Sequence, residues 1–214
     1  MAHSPSRRKR GRDDADDGDD VTKLRAFLSK EESSLRQASS DILNSELMDR
    51  VDAVKVLEEK VMSYSSYAEA VQEGAVAEVG VELMKCFRVG VRLECWVNTF
   101  TPPLSAGGNA GVSAEVQDGI YQIIHALTAG CNEALQRNLA YEKEHALMRT
   151  KCSDKAVWER YEAALETSQL QDLRKAVLQM YSDLLMIGNS ICSNLTHLRA
   201  DVKDDSSKTF SSMY

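Results

Sequence analysis

Leu170, Leu173, Val177, Met180, Leu184, Ile187, Ile191, Leu195, Leu198 and Val202 recur at gaps of three and four. That spacing places them on one face of an α-helix. Trp158, Tyr161 and Leu165 carry the stripe upstream, so the pattern predicts a helix over about 155–202. From Val157 to Val202 such a helix is roughly 70 Å long at 1.5 Å per residue. That length belongs to an elongated bundle, not a globin-like ball.

A second stripe, Val116, Ile120, Ile123, Ile124, Leu127, Cys131, Leu135, Leu139 and Ala146, predicts a helix over about 113–151. Ser113 is its candidate N-cap, and Glu115 suits the positive end of the helix dipole. Ser153 and Asp154 are placed to cap the helix that follows. Upstream, Leu24, Leu28, Leu35, Ile42, Leu47, Val51, Val54, Leu57 and Val61 predict a helix over about 21–63. After a weak break at Ser63–Ser66 and Gly74, Val79, Leu83, Phe87, Val91, Cys95 and Trp96 predict another over about 75–100. No strand-like alternation competes. The expected fold is all-α: four long helices packed antiparallel, because the connections are short.

Proline marks where the helices stop. Apart from Pro5, the prolines are Pro102 and Pro103, which open the Gly-rich segment Leu104-Ser105-Ala106-Gly107-Gly108-Asn109-Ala110-Gly111-Val112. An interior proline costs a helix about 3 kcal/mol, so the proline-free stretches on either side permit long helices. A loop held by two rigid helices is the first place to look for function.

Composition adds two tails. The chain has 214 residues, 43% of them apolar but only 6% aromatic, which suits helices packed through Leu, Val, Ala and Met. The net charge of -7 is uneven. Arg7, Arg8, Lys9, Arg10 and Arg12 form a basic cluster, and Asp13, Asp14, Asp16, Asp17, Asp19 and Asp20 follow at once. Residues 1–20 hold too little apolar content to offset the entropy of ordering and are expected to be a disordered tail. The adjacent aspartates compete with phosphates for the same cations, so an import signal is favoured over nucleic-acid binding, with a merely solvated tail as the bland reading. Residues 203–214 are again polar until Phe210, Met213 and Tyr214. That end reads either as a frayed terminus or as a docking peptide whose carboxylate a partner captures.

Little catalytic chemistry is present. No Walker motif occurs, and the Gly107–Gly111 segment lacks both a preceding strand and the lysine of a phosphate cradle. Glu142 and His145 make a single Glu-x-x-His, whereas a ferritin-like di-metal site needs two on different helices plus further carboxylates. Five cysteines, Cys86, Cys95, Cys131, Cys152 and Cys192, show no CxxC or zinc spacing and read as reduced thiols. No signal peptide and no membrane-length apolar run are evident, so Asn194-Leu195-Thr196 reads as an accidental glycosylation match. No cofactor, metal, membrane or nucleic-acid partner is expected.

Three places carry a family resemblance. The segment Trp96-Val97-Asn98-Thr99-Phe100-Thr101-Pro102-Pro103, continuing through Gly107-Gly108-Asn109-Ala110-Gly111-Val112, resembles the second-helix end and activation loop of the 11S proteasome activators, also called REG. The last helix, with Asp172-Leu173-Arg174 and Ser193-Asn194-Leu195, looks like that family's fourth helix. The final Ser212-Met213-Tyr214 is similar to the endings of its vertebrate members. The resemblance implies a ring, usually of seven bundles, that sits on the 20S proteasome core particle without ATP. C-terminal tails enter between the outer-ring α subunits, and activation loops (here Pro102 to Val112) move the gate. The basic cluster at Arg7 to Arg12, not the resemblance, motivates a nuclear address, so the expected location is the nucleus, the cytoplasm or both.

The chain also departs from the family. The key loop asparagine falls at Gly108 or Asn109. Ala110 stands where an aromatic is common, and the stretch near Ser63 to Glu73 lacks the family's Lys/Glu-rich linker. Two other classes stay open on the residues alone. A helical adaptor or scaffold without proteasome contact would not depend on the last residues, and a metal-storing bundle would need core-facing carboxylates.

Overall fold

Ile42 and Leu47 are both buried although they stand five residues apart, a gap that an α-helix would turn to different faces. The computed structural model, which describes residues 17–100 and 114–198, resolves the conflict with a π-helical segment at Ile42–Glu46. The backbone N–H of Leu47 donates to the Ile42 carbonyl across this wider turn. One extra residue is absorbed there, and both side chains reach the core. The segment joins α1 (Asp17–Asp41) to α2 (Leu47–Ser63) without a loop. Helix α1 begins upstream of Val21, inside the segment expected to form a disordered tail.

A short helix, α3 (Tyr67–Gln72), fills the weak break. Its N-cap is Ser66, whose Oγ accepts from the Glu69 N–H at 3.2 Å. The Glu69 carboxylate reaches back to the Ser65 N–H and hydroxyl, each at 2.8 Å. These two hydrogen bonds hold the carboxyl below its ordinary range. Gly74 then turns the chain at φ +72°, a conformation that favours glycine. Helix α4 (Ala75–Phe100) follows, then α5 (Ala114–Lys151) and α6 (Lys155–Leu198). Asp154 caps α6, its Oδ1 accepting from the N–H groups of Ala156 at 2.9 Å and Val157 at 3.1 Å.

The rods form an elongated antiparallel bundle in which α2 packs on α4 and α6, and α5 packs on the same two from the other side. Among the described residues there is no strand. Every α6 stripe position from Leu170 to Ile191 is buried. From Leu173 onward they meet Val54, Leu57 and Val61 of α2, Val89, Leu93 and Val97 of α4, and Ile124 and Leu127 of α5 in one core.

Three expected stripes are shorter in the fold than on paper. Leu24 and Leu28 of α1 are exposed, as are Val116 and Leu139 of α5 and Val91 of α4. Periodicity names a face; it does not say that a neighbour covers it.

Candidate functional site

The register of the helices decides which chain ends meet. His145 pairs with Glu162 at 3.0 Å, and Gln169 donates to Asn138 at 2.8 Å. Further along, the Cβ position of Gly130 lies 3.9 Å from the Asp183 carboxylate. Each step back along α5 is a step forward along α6, so the start of α5 is level with the end of α6. Continued at the same register, Ile120 near the start of α5 comes level with Ile191 near the end of α6, and both are buried. The C-terminus of α4 is there too, since the Gln117 amide of α5 donates to the Val97 carbonyl at 3.0 Å. The 101–113 connection and the chain beyond α6 therefore leave the bundle at one end. The turns at residues 64–66 and 73–74 lie away from that end, where Tyr67 meets Asn138 and Arg174 donates to the Tyr64 carbonyl, and the α5–α6 turn at 152–154 lies farther along still.

The base of the 101–113 connection is built rigidly. Trp96 and Val97 are buried in the last turns of α4, with Ile120 in the first turns of α5. The Gln117–Val97 bond satisfies a carbonyl that a helix end leaves without an intrahelical partner. Two turns down, the Thr128 hydroxyl donates to Glu94 at 2.6 Å, and His125 Nδ1 lies 3.1 Å from the same carboxylate. At Gly90 the helices come so close that a Cβ would stand 2.5 Å from the Thr128 methyl. Only glycine permits that approach. The α4/α5 pair is thus fixed immediately before the chain enters the Pro/Gly segment.

All three groups of expected site residues, Pro102 to Val112, Ser212 to Tyr214 and Arg7 to Arg12, lie outside the described residues. What is described is the frame that carries the first two. The frame's own contributors, Gly90, Gln117 and Thr128, went unseen in the sequence. Gly90 alone left a trace there, as a glycine inside a long helical stripe.

His145 is structural. Its ring packs between Tyr141 and Trp158, with centroids 5.8 and 5.3 Å away, and Nε2 meets Glu162. Burial pushes the Tyr141 hydroxyl beneath it up to about 12. Among the described residues no three His, Cys, Asp or Glu side chains gather to hold a metal ion. No described helix is long and apolar enough to cross a membrane, and no cysteine among them is in a disulfide. Burial pushes the Cys86 thiol up to about 12 and the Cys131 thiol further in the same direction.

No protein-family model and no curated protein matches the sequence. The fold does match a solved one. The crystal structure of the 11S subunit of the Plasmodium falciparum proteasome, PA28, superposes with a TM-score of 0.68. The alignment covers 83% of this chain and 93% of that one at 11% identity. The likeness is one of fold.

Proposed function

We propose that this chain is a subunit of an ATP-independent activator of the 20S proteasome. It works by contact, carries no catalytic group and needs no cofactor. Copies form a ring of about seven, a closed cyclic assembly. Ser212, Met213 and Tyr214 dock between the outer-ring α subunits of the core particle. The activation loop, Pro102 to Val112, then displaces the gate.

The observation that carries this reading is the common end. The ends of α4 and α6 and the start of α5 lie at one end of the bundle, so one surface can engage both the α4–α5 connection and the chain beyond α6. The likeness of the fold to the 11S subunit supports the same conclusion. A short tail makes few contacts and binds weakly. Several tails on one rigid ring act at high effective concentration and bind strongly together.

Deleting Ser212 to Tyr214 leaves the ring intact and abolishes its co-sedimentation with the core particle. A truncated ring that still co-sediments would favour the adaptor reading, in which the last residues do nothing. Arg7, Arg8, Lys9, Arg10 and Arg12 serve as a nuclear address; replacing all five with alanine shifts a tagged chain towards the cytoplasm. An unchanged distribution would leave them a solvated tail.

A further inference from the structure

Asp183 is 1% exposed and makes no ion pair among the described residues. Its partner is the Gln179 amide, which donates to Oδ1 at 2.8 Å. Burial raises its pKa. Buried carboxylates are ordinarily paired, because an uncompensated charge in a poorly hydrated site is expensive. This one helps to line a groove of about 290 Å³ between α5 and α6, together with Glu133, Arg137 and Lys175, of which Arg137 is held by Glu133 at 2.8 Å. Ala126, Ala129 and Gly130 form much of one wall, small residues that let another backbone approach closely. With Glu133 taken up by Arg137, Asp183 is the groove's carboxylate without an ion pair, and the small-residue wall leaves room for a cationic side chain borne on a helix.

A matching helix face exists on the same molecule. Val81, Met84, Arg88 and Val91 of α4 are exposed at gaps of three, four and three, the spacing of a helix-packing seam. Val81 is 54% exposed, and Val56 of the adjoining α2 is 65% exposed. Arg88 stands in the middle of this apolar strip with no acidic partner among the described residues, whereas Lys85 beside it is held by Glu82 at 3.2 Å. An unpaired guanidinium on an exposed apolar seam therefore complements an unpaired carboxylate in a small-residue groove.

The two faces point away from each other, since α4 lies diagonally across the bundle from α6. One molecule cannot satisfy both within itself. We infer that a second copy of this chain occupies the α5/α6 groove, laying its α4 seam along it with Arg88 against Asp183. Such a contact joins unlike faces, so every copy has one face of each kind to offer. Repetition closes a ring if the rotation fits and otherwise runs on as a filament. This rests on the ring proposed above and names the faces that build it.

The test is native mass and sedimentation of the full chain and its Arg88→Glu variant over a concentration series. Arg88 is exposed, so the reversal leaves the bundle folded, which far-UV circular dichroism checks. It places two like charges together and should raise the concentration at which the assembly dissociates by at least about tenfold. In an Asp183→Asn background the same reversal should cost much less, because the repelling carboxylate is gone. An assembly that forms in the wild type and is indifferent to Arg88→Glu would overturn this inference and leave the ring standing. An equal penalty in both backgrounds would overturn the pairing with Asp183. A wild-type monomer at high concentration would overturn the ring, and this contact with it.

Discussion

Gly90 shows how much one absent side chain can decide. A methyl there would be 2.5 Å from the Thr128 methyl, far inside van der Waals contact. Gly90→Ala gains helix propensity but must push α4 off α5, at a net cost of about 1–3 kcal/mol. The variant should melt several degrees lower. Gly80, with nothing within 4 Å of its Cβ position, is the internal control: Gly80→Ala should be neutral or stabilising.

Asp183 makes the opposite case, an ionisable group whose burial works against the isolated subunit. Its folded pKa is raised above the ordinary carboxylate value by burial, so the folded chain keeps that proton to higher pH than the unfolded chain. Its contribution to stability therefore falls as pH rises from the unfolded pKa through the raised folded one. Asp183→Asn should flatten that part of the profile in urea unfolding of the dissociated chain. A steeper profile in the variant would contradict the assignment. The burial of Cys86 and Cys131 has a chemical readout as well. Native protein should alkylate at exposed Cys192, with the two core thiols reacting only after unfolding.

At the scale of the element, helical periodicity was the most legible signal. The α6 stripe is buried wherever the structure describes it from Leu170 to Ile191, and Asp154 caps the helix as its position indicated. Stripes fail where they meet no neighbour. Leu24 and Leu28 have the right spacing, but α1 there carries them into solvent. The π-helical segment was legible in principle, in the five-residue step from Ile42 to Leu47. A reading in threes and fours passes over it. That step makes a prediction: deleting exposed Asn44 shortens the gap to four and lets an ordinary α-helix run through. The shortened chain should fold with nearly the wild-type melting temperature. Deleting exposed Glu59 instead rotates the rest of α2 by about 100° and should destabilise it strongly. Equal losses from both deletions would contradict the register argument.

For the whole molecule, the important fact is where chain ends emerge, and no local pattern states it. It follows from the pairing of α5 with α6 and of α4 with α5, through His145–Glu162, Asn138–Gln169 and Gln117–Val97. The sequence identified the Pro/Gly segment and the terminal Met213-Tyr214 as unusual; the fold brings their points of departure to one end. The loop's clamp should matter for activation more than for assembly. Gln117→Ala removes one hydrogen bond at the loop base, about 1 kcal/mol of stability. It should leave the ring and its binding intact while weakening stimulation, measured as peptide turnover at saturating activator.

The central claim is that the ring binds by its tails and opens the gate by its loops. The most direct measurement is hydrolysis of small fluorogenic peptides by latent 20S core particle, with the full chain and its Gly108→Tyr and Asn109→Tyr variants. Wild type should stimulate turnover strongly without ATP. At least one loop variant should bind the core particle as tightly and stimulate little, because a bulky ring at that position distorts the loop and leaves the tail untouched. No stimulation by the wild type, or full stimulation by both variants, would contradict the account.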